Sequence, residues 1–158
     1  MIVTGVSGSG KTTVGRALAS RLHWDFHDAD DLHAPENIER MRRGEPLDDE
    51  LRQPWLERVR RVVEDAAREG RDTVIACSAL KERYRQALAA GVSGVHFVYL
   101  SGEPDLLRTR LERRRDHFAG TALLESQLAA LEPPAAALTV DASLPVDSIV
   151  DRLAAELT

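Results

Sequence analysis

A glycine-rich stretch with one lysine is the part of the chain best suited to chemistry. Gly5-Val-Ser-Gly-Ser-Gly-Lys-Thr12 matches the pattern G-x-x-x-x-G-K-[ST]. Such glycines let backbone N–H groups approach phosphate oxygens, the lysine neutralises β- and γ-phosphate charge, and the threonine hydroxyl is a ligand for Mg²⁺. The stretch therefore predicts a binding site for ATP with Mg²⁺, formed by Gly5, Ser7, Gly8, Ser9, Gly10, Lys11, Thr12 and Thr13.

The same letters could also form a chance glycine-rich turn. Here the stretch follows a short apolar run, Met1 to Thr4, and precedes a helical pattern with Val14 and Leu18 on one face. A strand before the loop and a helix after it are the context that phosphate binding requires, because the first helical turn adds its positive dipole end. The position of the stretch thus favours nucleotide binding over a chance turn.

A second candidate for chemistry is the acidic cluster after the predicted second strand, Trp24 to His27. Asp28 and Asp30 are two residues apart, so in an extended segment their carboxylates would point the same way. Asp28 could order the water shell of a metal ion, and Asp30 could accept a proton from an attacking hydroxyl. Standing alone, the cluster would be read as a solvated turn, but its place after a strand favours a ligand site.

The phosphate loop alone does not distinguish a GTPase, a motor ATPase and an enzyme that transfers a phosphoryl group. A GTPase would need a guanine-reading Asn-Lys-x-Asp motif, but Asn37 is the only asparagine. A motor ATPase would carry acidic residues at the end of the strand Thr73 to Cys77, where this chain continues as Ser78-Ala-Leu-Lys. Phosphoryl transfer to a small acceptor is therefore favoured, and a nucleotide-binding regulatory module without an acceptor is the alternative from another class.

The elements that must position these residues alternate along the chain. Apolar runs predict strands, helical periodicity predicts the helices between them, and this alternation indicates a parallel sheet covered by helices on both faces. Pro54 is expected at the first helical position of the longest helix. The predicted strands are Met1 to Thr4, Trp24 to His27, Thr73 to Cys77, Val95 to Leu100 and Leu138 to Val140.

Length and composition narrow the class of protein. With 158 residues the chain is expected to form one domain, and a net charge of −5 argues against an undirected affinity for nucleic acid or anionic membrane. Cys77 is the only cysteine, so no intramolecular disulfide is possible and a reducing compartment is indicated. No apolar run reaches the length of a membrane span. These features predict a cytoplasmic protein whose partners are small molecules or other proteins.

Several further stretches, in order along the chain, resemble the thermoresistant-type gluconokinases. They are Asp28-Ala-Asp-Asp-Leu-His33, Asn37-Ile-Glu-Arg-Met41, Gly44-Glu-Pro-Leu-Asp-Asp49, Arg52-Gln-Pro-Trp-Leu56, Cys77-Ser-Ala-Leu-Lys81, Tyr84-Arg85 and His117-Phe118. The resemblance implies a three-layer P-loop fold like that of nucleoside monophosphate and shikimate kinases, a homodimer, and ATP-dependent phosphorylation of gluconate to 6-phosphogluconate. A shikimate-type or nucleotide kinase of the same fold stays open as an alternative.

The resemblance also implies roles for individual residues. A substrate-binding segment is expected at about 28–56, with Asp30 orienting the terminal hydroxyl of gluconate. Gluconate is a monoanion with five hydroxyls, so its pocket needs a cation and several short polar groups. The substrate-binding candidates are Asp30 and His33 for the hydroxyls, Arg52, Lys81 and Arg85 for the carboxylate, and His117; Thr12 and Asp28 are the candidates for the metal.

The arginine-rich segment Arg108 to Arg115 has three possible interpretations. It could be a solvated helix face, or a nucleic-acid patch, which the net charge disfavours. The resemblance implies a lid at about 113–121, with Arg110 and Arg114 contacting ATP and Arg114 stabilising the transferring phosphoryl group with Lys11. Closure of such a lid would exclude water from the reaction.

Overall fold

One parallel sheet forms the centre of the molecule. The computed structural model describes residues 1–114 and 120–157, and in this part of the chain the sheet has five strands in the order β2-β3-β1-β4-β5. All pairings are parallel, as the alternating pattern predicts. The strands are β1 (Ile2–Thr4), β2 (Asp25–Asp28), β3 (Thr73–Ala76), β4 (Phe97–Ser101) and β5 (Leu138–Asp141).

Helices connect the strands, as the alternating pattern predicts. A single-turn 3-10 helix, Ala29–Leu32, follows β2 directly. Among the described residues, no helix is both long and apolar enough to cross a membrane. The α-helices are α1 (Lys11–Leu22), α2 (Pro35–Arg42), α3 (Asp49–Arg68), α4 (Glu82–Ala89), α5 (Pro104–Glu112), α6 (Thr121–Ala130) and α7 (Val146–Leu157).

The two faces of the sheet carry separate cores, which makes the fold three-layered. Val3 and Val74 point to the face covered by α1 and α7, where Leu18 and Leu153 are fully buried. Their strand neighbours Ile2 and Ile75 point to the opposite face, under α3 and α4. Because side chains alternate along a strand, a sheet with two buried faces needs apolar residues at consecutive positions. This confirms the predicted α/β P-loop architecture.

A third apolar cluster lies beyond the carboxyl edge of the sheet and supports the phosphate loop. Leu107 and Leu111 of α5 and Leu124 of α6 pack against Val6 of the loop and against Leu80, which follows β3. The loop is therefore held by the core of the protein as well as by its own backbone.

Helix α3 begins earlier than its proline suggests. Pro54 lies inside the helix, whereas the sequence predicts it at the first helical position. The reason is Asp48, whose carboxylate accepts a hydrogen bond of 2.8 Å from the N–H of Leu51 and so caps a helix that starts at Asp49. The additional turn brings Arg52 into the helix, where its side chain can reach the substrate side of the molecule.

Trp55 connects α3 to the segment after β2, and its replacement tests this connection. Its indole N–H donates a hydrogen bond of 2.7 Å to the carbonyl of Ala29, and the residue is 1% exposed. Trp55→Phe leaves that buried carbonyl without its donor, so we expect the free energy of unfolding to fall by about 2–4 kcal/mol in chemical denaturation. Trp24→Phe is the control, because Trp24 is only partly buried; equal losses in the two variants would contradict this role.

Candidate active site

The phosphate loop joins β1 to α1 in the conformation that phosphate binding requires. Gly10 caps α1 with a φ of 96° and Gly8 has a φ of 80°, both in the left-handed region that favours glycine. A Cβ on Gly8 would also stand 2.9 Å from the carbonyl oxygen of Leu107. The ammonium of Lys11 donates to the carbonyl of Val6 at 3.1 Å, so the lysine lies folded over its own loop.

The acidic cluster meets this loop through Asp28. The hydroxyl of Thr12 donates to one carboxylate oxygen of Asp28 at 2.6 Å, and the other oxygen accepts the N–H of Asp30 at 3.0 Å. The expectation of an extended segment is wrong, because this second bond caps the 3-10 helix and turns the chain after Asp28. Both carboxylates nevertheless lie close enough to Lys11 to influence its charge.

Burial and charge act in opposite directions on this cluster. Burial lowers the pKa of Lys11, while the carboxylates of Asp30 and then Asp28 oppose that shift. Burial raises the pKa of Asp30, and the ammonium of Lys11 counteracts it. Burial also raises the pKa of Cys77 to about 12, so this thiol stays protonated beside the cluster. The site thus holds a carboxylate that is a stronger base than an exposed aspartate.

A pocket opens between the phosphate loop and the segment after β2. Lys11, Asp30, His33 and Arg52 line it together, and Arg114 lies at the side where the predicted lid begins. Apolar side chains complete the wall: Met41, Leu47, Trp55 and Leu123. Five of the predicted site residues, from four different segments, therefore face one cavity, which has room for a small polar molecule beside the phosphate loop.

His33 is held in the neutral form. Its ring stacks on Trp55 with centroids 4.5 Å apart and 4° between the planes. Burial, and then the positive charges of Arg52 and Arg58, lower the pKa of His33 to about 4. Its Nδ1 is buried without a hydrogen-bond partner among the described residues. A neutral imidazole with an unused ring nitrogen can exchange a hydrogen bond with a hydroxyl group in the pocket.

Of the three cations predicted for the acceptor carboxylate, the structure brings only Arg52 to this pocket. Lys81 lies 3.7 Å from the carboxylate of Asp49 and is not part of the pocket wall. Arg85 is 3% exposed, and its guanidinium donates to the carbonyls of Ala79, Leu80 and Glu132 and to the carboxylate of Glu82. The geometry therefore argues against Arg85 as a substrate ligand, since its donors are used to hold the loop after β3.

A second cavity adjoins the other side of the phosphate loop. Gly8, Gly10 and Thr13 line it together with Arg110, Arg113 and Arg114. Arg110 donates to the carbonyl of Ala142 at 2.7 Å, which ties α5 to the loop between β5 and α7. Leu144 in that loop is 40% exposed and forms an apolar part of the cavity wall. A flat base could lie here with its phosphates directed towards the phosphate loop.

Some site residues were missed by the sequence reasoning. The side-chain oxygen of Gln127 on α6 accepts a hydrogen bond of 2.7 Å from the N–H of Ser7. Gln127 and Ser78 line the first pocket, and Leu144 lines the second cavity. Ser78 lies in a stretch that carries the family resemblance but was given no role, and no sequence signal marks Gln127 or Leu144, because a glutamine in a helix and a leucine in a loop are common. His117, another predicted ligand, lies outside the described residues.

Comparison with known proteins decides the family. A family model described as shikimate kinase matches residues 7–140. The thermosensitive gluconokinase of Escherichia coli K12 is 45% identical over 85% of this chain and 72% of its own. The thermoresistant gluconokinase of the same organism is 40% identical over 94% of this chain and 87% of its own. This chain belongs to the gluconokinase family. The predicted resemblance is confirmed. The match to the shikimate kinase model agrees with it, because gluconokinases and shikimate kinases share this fold.

Solved structures agree with this assignment. A sugar kinase from Janibacter sp. HTCC2649 is 40% identical and superposes with a TM-score of 0.91, covering 99% of this chain and 92% of its own. A gluconokinase from Sinorhizobium meliloti 1021 is 39% identical with a TM-score of 0.84, covering 99% of this chain and 93% of its own. The gluconokinase-family chain is thus an enzyme of the P-loop kinase class, and kinases of this class use ATP.

Arg85 provides a test of the structural role that replaces its predicted one. Arg85→Met removes the donor of three backbone carbonyls, two of them in buried hydrogen bonds, so we expect the free energy of unfolding to fall by about 3–5 kcal/mol, measured by chemical denaturation. Gln86→Met, on the exposed side of the same helix, is the control and should change stability by less than about 0.5 kcal/mol. A fully stable Arg85→Met protein that no longer responds to gluconate would instead favour the original ligand role.

Proposed function

We propose that this enzyme transfers the γ-phosphoryl group of ATP to the terminal hydroxyl of D-gluconate, which yields 6-phosphogluconate and ADP. The observation that carries the proposal is the shared pocket, in which Arg52, Asp30 and His33 face the phosphate loop and Lys11. A cation for a carboxylate, a base for a hydroxyl and a neutral imidazole for further hydroxyls match the chemistry of a polyhydroxy acid.

In the proposed reaction, Asp30 orients the terminal hydroxyl and receives its proton as the oxygen attacks the γ-phosphorus. The bond between the γ-phosphorus and its bridging oxygen breaks, ADP leaves, and Asp30 later releases the proton to solvent. In this proposal Lys11 balances charge on the γ-phosphate, and Arg114, which lines both cavities, neutralises the phosphoryl group in transit. The predicted lid at about 113–121 would exclude water.

The oxygens of Thr12 and Asp28 fit a magnesium ion. Their hydroxyl and carboxylate are 2.6 Å apart, next to the phosphate loop, and oxygen donors are those that Mg²⁺ prefers. Among the described residues no group of three or more His, Cys, Asp or Glu could hold a metal, so phosphates and water would supply the other ligands. When bound, the ion neutralises charge on the β- and γ-phosphates, and Thr12 and Asp28 hold it there.

Base and ribose would occupy the second cavity. Arg110 is fixed by its bond to Ala142, so its guanidinium plane can stack on adenine, while Leu144 offers an apolar contact on the cavity wall. Thr13 and the glycines of the loop would contact the phosphates. We further propose that the enzyme works in the cytoplasm, where ATP is supplied and the single thiol stays reduced. The homodimer implied by the family resemblance remains a prediction, to be measured by light scattering.

A coupled assay for ADP release tests the function directly. We expect release with gluconate, and much weaker release with shikimate, with a nucleoside monophosphate or with sorbitol, which lacks the carboxylate. Leaving the charge of Arg52 unpaired should lower kcat/KM for sorbitol by about 30-fold or more. Lys11→Ala should abolish release with every acceptor. Release that needs no acceptor would indicate an ATPase, and preference for shikimate would support the same-fold alternative.

The roles of Asp30 and Asp28 can be separated by titrating Mg²⁺. Asp30→Asn loses the base, so we expect kcat to fall by about 10²–10⁴-fold at every Mg²⁺ concentration with little change in the KM for ATP. Asp28→Asn should instead recover activity as Mg²⁺ is raised. The wild-type rate should decline with falling pH through a pKa above that of an ordinary aspartate, because burial raises the pKa of Asp30. An Asp30→Asn enzyme rescued by Mg²⁺ would show that the two roles are exchanged.

A further inference from the structure

Tyr84 belongs to a sequence stretch that the proposed reaction does not use. It lies on α4, is 6% exposed, and packs in the core between α3 and the sheet. Its hydroxyl accepts a hydrogen bond of 2.9 Å from Nη1 of Arg52 and donates one to the carboxylate of Asp49. The tyrosine thus stands between the cation of the acceptor pocket and an acidic residue at the molecular surface.

The directions of these two bonds are fixed by their partners. A guanidinium can only donate and an ionised carboxylate can only accept, so the hydroxyl hydrogen of Tyr84 must point to Asp49 and its lone pair to Arg52. The guanidinium of Arg52 also lies over the Tyr84 ring, 5.3 Å from its centroid. One aromatic side chain therefore restrains Arg52 through both its face and its hydroxyl.

Asp49 is bound by groups other than Arg52. One of its oxygens accepts from Tyr84 and the other from Arg83, and the ammonium of Lys81 lies 3.7 Å from the first oxygen. Arg52 donates to the Tyr84 hydroxyl instead, and no ion pair joins it to a carboxylate among the described residues. An arginine whose charge is not already neutralised is the one that binds an incoming carboxylate best.

The guanidinium of Arg52 could adopt a second position. It lines the acceptor pocket on one side and a shallow outer cleft on the other, where Asp49, Gln53 and Arg83 are its neighbours. Without the Tyr84 hydroxyl, a swing of the guanidinium into the cleft would bring it to Asp49. The hydroxyl occupies the position between the two charges and so opposes this swing.

We propose that Tyr84 and Asp49 are positioning residues that hold the Arg52 guanidinium in the acceptor pocket and keep its charge available for the carboxylate of the acceptor. This inference rests on the proposed function and adds to it two residues that do not touch the substrate. The set Asp49, Tyr84 and Arg52 is called the Arg52 relay below. Because Tyr84 and Asp49 line neither the acceptor pocket nor the second cavity, we expect them to affect acceptor binding and to leave the chemical step unchanged.

The first test removes the hydroxyl and keeps the ring. For Tyr84→Phe we expect the KM for gluconate to rise by about 5–10-fold, the effect of one lost hydrogen bond of ordinary strength, while kcat and the KM for ATP stay within about twofold. Tyr99→Phe is the matched control, since it removes the same hydroxyl from the only other tyrosine, which lies on β4 away from the pocket. An unchanged KM for gluconate in Tyr84→Phe would overturn the proposal.

A second variant, at the exposed Asp49, distinguishes a positioning role from a general folding defect. Asp49 is exposed, so Asp49→Ala should fold, and freeing the Tyr84 hydroxyl should raise the KM for gluconate by about 3–5-fold. Glu50→Ala, the neighbouring exposed acid in the first turn of the same helix, should leave it unchanged. Equal increases in the KM for ATP and the KM for gluconate would indicate a loosened domain and would contradict a positioning role.

A double-mutant cycle decides whether Tyr84 acts through Arg52. In an Arg52→Ala background, Tyr84→Phe should cause no further loss in kcat/KM for gluconate, because the group that it positions is gone. Losses that multiply would mean that Tyr84 acts independently, which overturns the relay.

The cycle also separates this inference from the proposed function. If wild-type enzyme ignores gluconate but uses another carboxylic acid such as shikimate, the function fails and the same cycle, run with that acid, still judges the relay. If it prefers an uncharged acceptor, both ideas are wrong. If turnover is absent, the readout is calorimetric binding of gluconate to the wild type, the two single variants and the double variant. A wild-type protein that does not bind gluconate would overturn both the proposed function and the relay.

Discussion

The hydrogen bond between the Thr12 hydroxyl and the Asp28 carboxylate is the contact on which the rest of the site depends. It joins the phosphate loop after β1 to the segment after β2, although β3 lies between these strands in the sheet. Through its second oxygen, Asp28 also starts the 3-10 helix that carries Asp30 into the pocket and His33 against Trp55. One carboxylate therefore sets the distance between the nucleotide and acceptor sides of the enzyme.

This arrangement places charges where burial must be compensated. Lys11 and Asp30 are each disfavoured as ions by burial, and each is the largest electrostatic compensation of the other. The pair leaves a base that is stronger than an exposed aspartate and a cation that phosphates can attract from its carbonyl partner on Val6. The same balance shows that the two residues share one electrostatic environment, which supports the functional roles proposed for them.

Helices α5 and α6 contact the walls of both cavities. Gln127 binds the N–H of Ser7 in the phosphate loop, and Leu123 on the same helix packs with Met41 and Leu47 of the acceptor segment. Arg110 on α5 meanwhile binds the loop after β5. The segment between these helices is the one for which a lid is predicted. Its two flanking helices thus contact the phosphate loop, the acceptor side and the side proposed for the base.

The sequence by itself determined the fold and the nucleotide side of this protein. Alternating apolar runs and helical stripes are local patterns with fixed periods, and the G-x-x-x-x-G-K-T loop performs its role largely with its own backbone, so both are legible without a structure. Only the tertiary structure decided among the cations: Arg52 reaches the pocket, Lys81 lies near Asp49, and Arg85 holds the carbonyl of the distant Glu132. The physical reason is that a guanidinium serves a ligand or a backbone carbonyl equally well, and its choice depends on partners that are far away in the chain and brought near only by packing.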